Sequence, residues 1–181
     1  DLQVINMYTQ EKLKNYAHLA SEKIKRSKIN LNYFKKPYKH LILDRFFKKS
    51  LAKDCLNNFP NTDNSSWNFT NNENIEIKDR SNWKSEFDIP EGIIAAVRIM
   101  NSAEILKSLS TLFGIKKLIP DPYFTGGGLN LTKKGGLLDV HVDGNYHDET
   151  GLNRRLNALI YLNSGWKKNW GGEFGIYDEM G

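Results

Sequence analysis

The pattern of this chain changes at Pro120-Asp121-Pro122, and that change restricts the fold more than any other feature. Two prolines around one residue stop a helix that arrives from the N-terminal side. Before this point, apolar residues recur at helical steps. Leu13, Tyr16, Ala17, Ala20 and Ile24 share one face of residues 9–28 and leave lysines outside. Phe47, Leu51, Cys55 and Phe59 do the same over residues 46–59, and Pro60 stops the run. Pro90-Glu91 opens a third helical region. A fourth runs from a Ser102 cap through Ile105, Leu106, Leu109 and Leu112 to Gly114. Residues 40–44 read as a short buried strand. Residues 61–74, rich in Asn, Ser and Thr, read as a loop tacked down by Trp67 and Phe69. Beyond Pro122, residues 123–131, 137–142, 155–163 and 173–177 read as short strands between Gly- or Asn-rich turns. Helices followed by unbroken strands predict an α+β domain whose β part is a sandwich or barrel.

With 181 residues, the chain is expected to be a single domain. Within it, 1–120 is the mainly helical support and 121–181 the strand-forming part. No apolar run approaches the roughly 20 residues of a membrane helix, and the run from Ile93 to Val97 is far too short. The N-terminus lacks the basic-then-apolar order of a signal peptide. Cys55 is the sole cysteine, which excludes an internal disulfide and a thiolate metal cluster, so a cytoplasmic setting is expected. The net charge of +5 is concentrated, with 13 Lys/Arg against 3 Asp/Glu between Glu11 and Lys53. Such a stretch suits nucleic acid or an acidic partner. It equally suits the solvated face of helices, and no aromatic-interleaved basic motif accompanies it. Nucleic acid is therefore not the expected partner.

Three glycine clusters mark the second half: Gly126-Gly127-Gly128, Gly135-Gly136 and Gly171-Gly172. A phosphate loop requires a helix after the glycines. Here each cluster precedes a strand, so bulges and close backbone approaches are the better expectation. The chemistry concentrates in Asp139-Val140-His141-Val142-Asp143-Gly144. On a strand, His141 and Asp143 share one face. An imidazole and a carboxylate so placed supply two ligands of a facial triad for non-haem Fe(II), leaving positions open for co-substrate and O₂. Alone, His-x-Asp is a weak signal, more often a surface hydrogen-bonding pair.

The order around it is more specific. Gly126-Gly127-Gly128-Leu129-Asn130 and Gly135-Gly136 precede the pair. Asn145-Tyr146-His147, Arg154-Arg155-Leu156-Asn157, Tyr161-Leu162-Asn163, Trp166 and Gly171-Gly172-Glu173-Phe174 follow it. This order resembles the iron(II)/2-oxoglutarate-dependent oxygenases of the prolyl-4-hydroxylase-like group, closely over about fifty residues. The resemblance implies a double-stranded β-helix (jelly roll) core with flanking N-terminal helices, of which 121–181 holds the early strands. It implies His141 and Asp143 as iron ligands and Tyr161 as the phenol that donates to the distal carboxylate of 2-oxoglutarate. Leu159 and Phe174 match apolar walls of that pocket, and Asn130 a polar position in it. Alternation puts Tyr161, Leu159, Asn157 and Arg155 on one strand face. Arg154 and Arg155 are candidates for the substrate, against a plain strand-end ion pair. The implied cofactors are Fe(II), 2-oxoglutarate and O₂, with ascorbate as an accessory. The implied reaction hydroxylates a prolyl or similar side chain of a peptide or protein, or a small molecule, as 2-oxoglutarate is decarboxylated to succinate.

Two departures stand out. Gly144 replaces a bulky residue found in many relatives. The family also needs a second His and a later Lys or Arg, whereas His18, His40 and His147 are poorly placed and no His, Lys or Arg follows Phe174. The strand set is therefore expected to be incomplete at the C-terminus, with the third ligand outside these residues. The competing classes are a non-catalytic β-helix binding or scaffold protein with a broken site, and a nucleic-acid-directed oxygenase of the same fold.

Overall fold

A computed structural model describes residues 8–72 and 75–178. Its contacts divide the chain into two compact units, Asp1–Asn58 with Glu91–Pro120 and Glu173–Gly181, and Phe59–Pro90 with Asp121–Gly172.

The first unit is helical. Helix α1 (Gln10–Arg26) starts where the Thr9 hydroxyl accepts the Lys12 amide, and it buries Ala17, Ala20, Ser21 and Ile24. A short hairpin follows, β1 (Tyr33–Phe34) against β2 (His40–Leu41). Helix α2 (Lys49–Asn57) buries Leu51 and Cys55, and Phe47 just before it is also buried. These are three of the four expected stripe positions; the helix is shorter than the expected 46–59, and Phe59 lies past its end and is half-buried. Helix α3 (Glu91–Met100) begins after Pro90, where a missing amide costs nothing. Helix α4 (Ala103–Phe113) is capped by Ser102 and closed by Gly114 in the left-handed conformation, as its sequence predicts. The core lies where α1 meets α3 and α4, and α2 meets α3, with Ile24, Leu51, Ile99 and Ile105 at 0–1% exposure. Burial pushes the Cys55 thiol up to about 11, so it is no nucleophile at neutral pH.

The second unit is built on antiparallel pairing. Strands β3 (Asn68–Asn72) and β4 (Glu76–Arg80) form a hairpin from Asn68↔Arg80 to Asn72↔Glu76. The other edge of β4 takes β5 (Asn130–Leu131) at its Arg80 end and β6 (Leu137–Leu138) at its Glu76 end. Strands β7 (Tyr146–His147) and β8 (Leu152–Asn153) form a separate hairpin. The buried apolar residues are few, Trp83, Ile89 and Leu129, and Asp79 joins them by pairing with Lys133 at 2.7 Å.

Several sequence expectations are corrected here. Residues 61–74 are not all loop, because 68–72 form β3. Asn and Thr serve as strand residues where the neighbouring strand supplies the ladder. Residues 73–74 and 179–181, the ends of that loop and of the strand-forming part, lie outside the described residues. Trp67 does pin the loop, its ring N–H donating to the Asn61 carbonyl at 2.7 Å, but Phe69 is 65% exposed. The strand at 40–44 shrinks to His40–Leu41 and is only half-buried. Pairing in 123–131 and 137–142 is confined to β5 and β6, while 155–163 and 173–177 form no strand. The described strands are antiparallel, in sheets of two, four and two, without the layers of a jelly roll laid out among them. No helix among the described residues is long and apolar enough to cross a membrane.

Gly128 and Gly136 are close backbone approaches. A Cβ on Gly128, at φ +146°, would sit 2.7 Å from the Ser81 carbonyl oxygen, and one on Gly136 would sit 2.9 Å from that of Ile77. Ile105→Ala is expected to lower unfolding free energy by about 2–5 kcal/mol. Ile29→Ala, at a position 81% exposed, should change it by less than about 0.5 kcal/mol. Chemical denaturation of the two variants reads both values.

Candidate metal centre

The chain reaches the His-x-Asp segment along β4. Beyond the β6 pairs, the Asp139 N–H donates to the Ile75 carbonyl at 2.7 Å. The ladder ends there, and residues 139–145 run on without strand pairing. The Asp139 carboxylate accepts the Val140 N–H at 2.7 Å, folding the chain on itself. The Asp139 carbonyl oxygen lies 2.7 Å from His141 Nδ1. A carbonyl can only accept, so Nδ1 carries the proton and Nε2 presents its lone pair in the neutral ring.

That lone pair faces a carboxylate. His141 Nε2 is 3.5 Å from Asp143 Oδ1, and both side chains are partly open to solvent. The other oxygen, Oδ2, accepts from Asn157 Nδ2 at 2.9 Å and lies 3.7 Å from Arg154 Nη1. Arg154 is itself anchored, its Nη2 donating to the Thr125 carbonyl at 3.4 Å. The adjoining loop is held separately. His147 Nε2 reaches Asp121 Oδ1 at 3.0 Å and Thr125 Oγ1 at 2.9 Å, while its Nδ1 accepts the Thr150 amide at 3.3 Å.

Of the residues singled out in the sequence, His141, Asp143 and Arg154 come together. Arg154 meets a carboxylate of this same cluster, so its ion pair is with Asp143. Arg155 is exposed and, among the described residues, has no hydrogen bond or ion pair. Asn130 is exposed in β5, its backbone registered with Arg80. Leu159 and Tyr161 are 53% and 63% exposed in an unpaired segment, so the strand face expected for Arg155, Asn157, Leu159 and Tyr161 is not formed. Among the described residues no hydrogen bond or ion pair joins Tyr161 to His141 or Asp143. The burial that Tyr161 has pushes its phenol above the ordinary value, so it stays a donor at neutral pH. Phe174 falls in the helical unit and is 58% exposed.

Two contributors had no role assigned to them by the sequence reading, although Asn157 stood in one of the matched elements. The carbonyl of Asp139, rather than its carboxylate, orients the imidazole. Asn157 supplies the shortest bond to Asp143. A lone asparagine 14 residues past an aspartate carries no signal in one sequence.

Chemically, the pair is two acceptors pointed at each other. With Nδ1 protonated, neither Nε2 nor Oδ1 has a hydrogen to offer, so the two acceptors suit a shared third group. A divalent metal ion is such a group, taking imidazole nitrogen and carboxylate oxygen together. The donor set thus fits a transition metal of the Fe(II) type. Among the described residues no group of three or more His, Cys, Asp or Glu is placed to hold one.

Residues 127–181 match the family model of the 2OG-Fe(II) oxygenase superfamily. The matched part is under a third of the chain, and it contains His141, Asp143, Asn157 and Tyr161. It supports a 2OG-Fe(II) oxygenase, with an oxygenase-type activity. No curated protein and no solved structure matches the chain.

The hydrogen-bond geometry makes a direct prediction. Neutral His141 should exist as the Nδ1–H tautomer, the minor form of free histidine. Ring ¹⁵N shifts in solution test this, and a dominant Nε2–H form would contradict the assigned orientation.

Proposed function

We propose that this protein is an Fe(II)- and 2-oxoglutarate-dependent dioxygenase in which His141 Nε2 and Asp143 Oδ1 are two of the metal's ligands. The observation that carries this reading is the approach of His141 Nε2 to within 3.5 Å of Asp143 Oδ1, inside the segment that matches the superfamily. Fe(II) and 2-oxoglutarate supply the oxidising chemistry: O₂ is consumed, 2-oxoglutarate becomes succinate and CO₂, and a substrate C–H becomes C–OH. The chain's own residues do the holding. The Asp139 carbonyl keeps the His141 ring in the tautomer that offers Nε2 outward. Asn157 and Arg154 hold the far side of the Asp143 carboxylate. Tyr161, kept protonated, is the donor for the distal carboxylate of 2-oxoglutarate, and the resemblance assigns Leu159 and Asn130 to the same pocket.

The resemblance around Arg154-Arg155-Leu156-Asn157 and Tyr161-Leu162-Asn163 supports the prolyl-hydroxylase-like group. On that ground we assign a prolyl or similar side chain, in a peptide or small molecule, as the hydroxylated group. Arg155, exposed and without a hydrogen bond or ion pair among the described residues, is the better placed of the two arginines to meet a substrate. The same resemblance implies a double-stranded β-helix as the framework of this half of the chain.

His141→Ala and Asp143→Ala should each abolish 2-oxoglutarate-dependent succinate formation with little change in thermal midpoint. Asp143→Glu should be nearly as damaging, since one methylene moves the carboxylate by about 1.5 Å against a ligand tolerance of about 0.2 Å. Tyr161→Phe should raise KM for 2-oxoglutarate about ten- to a hundredfold, the range of one hydrogen bond to a charged group. Succinate formation near the wild-type rate in either alanine variant overturns the assignment.

A further inference from the structure

Asp143 meets the metal through Oδ1, and what is gained by fixing Oδ2 is a separate matter. Both groups that reach Oδ2 come from the same short stretch. Asn157 Nδ2 donates to it at 2.9 Å, and Arg154 Nη1 stands at 3.7 Å, within ion-pair range but beyond a hydrogen bond. The two therefore act differently. The amide is neutral and directional, so it sets the plane of the carboxylate without competing for its charge. The guanidinium, tied to the Thr125 carbonyl, adds attraction and little direction.

An ionised carboxylate has about four lone-pair sites over two oxygens and can take a metal through one oxygen or both. The choice matters to an oxygenase. A two-oxygen mode occupies a coordination position that the co-substrate or O₂ needs. Asn157 takes one lone pair of Oδ2 and Arg154 stands beside the same oxygen, which turns Oδ2 toward these donors and leaves Oδ1 as the oxygen near His141 Nε2. We propose that Asn157 is a positioning residue that holds Asp143 in the one-oxygen mode toward a metal at His141. This rests on the metal assignment made above for His141 and Asp143. Asn157 is exposed, so its replacement removes this hydrogen bond without opening a cavity.

The test uses Mn(II) alone, with bound and free ion measured from the electron paramagnetic resonance of free Mn(II). Asn157→Leu removes the donor, and Asn157→Ser removes its reach while adding no apolar surface. Both should weaken Mn(II) binding about 10- to 100-fold, the usual effect of losing a partner behind a metal ligand, with thermal midpoints near wild type. The visible absorption of the Co(II)-loaded protein should change shape in both variants, a readout that general loosening of the fold would not produce in the same way. Mn(II) affinity within twofold of wild type together with an unchanged Co(II) spectrum overturns the role of Asn157. His141→Ala and Asp143→Ala are measured alongside. If these lose Mn(II) binding and the Asn157 variants do not, the positioning role alone falls. If the alanine variants also bind Mn(II) normally, the metal assignment falls and takes the positioning role with it.

Discussion

The ladder along Glu76–Arg80 carries the second unit. This strand uses both of its edges, with Asn68–Asn72 on one side and the successive pairs at Asn130–Leu131 and Leu137–Leu138 on the other. The Asp139 amide makes the last rung against the Ile75 carbonyl, and two residues later the chain presents His141. The imidazole is then tied back to the carbonyl of that same Asp139. The ring is thus held by backbone groups at the sheet's end, which explains how an exposed segment without strand pairing keeps a defined side-chain orientation.

The two units are stabilised by different means. The helical unit buries Ile24, Leu51, Ile99 and Ile105 almost completely, and dispersion and the hydrophobic effect dominate there. The strand unit buries little apolar surface and leaves Val142, Leu159 and Tyr161 more than half exposed. It relies on ladder hydrogen bonds, on the ion pair of Asp79 with Lys133, and on the polar ties of His147 and Arg154. Hydrogen bonds open to water contribute only about 1 kcal/mol each. The metal pair therefore stands on the more polar and more weakly buried unit.

The contrast between the units also explains what the sequence disclosed. Helix α1 and helix α4 were legible because their periodic apolar faces agree with their caps at Thr9, Ser102 and Gly114. Such signals are local, and the strand half has fewer of them. Strand β3 is four-fifths Asn and Thr, so composition pointed to a loop over 61–74, and only the partner strand makes residues 68–72 part of a sheet. At the candidate site, the two-residue spacing of His141 and Asp143 was visible, as was the neighbouring arginine pair. The Asp139 carbonyl was not, because a backbone acceptor has no letter of its own. Asn157 was hidden for another reason: its role depends on a fold-back between residues 143 and 157 that no short motif encodes. The expected strand face through Arg155 and Tyr161 failed because alternation predicts sides only where a ladder exists to define them.

Gly128 fits against the Ser81 carbonyl, and its neighbours in the triple-glycine run are equally confined. A Cβ on Gly126 would come within 3.3 Å of the Arg154 guanidinium, and one on Gly127 within 3.1 Å of the Phe124 carbonyl oxygen. Each glycine thus clears a different obstacle: a charged side chain, its own turn and the backbone just past Arg80. The run works as a spacer that lets the chain pass between the end of that strand and the guanidinium that stands beside Asp143.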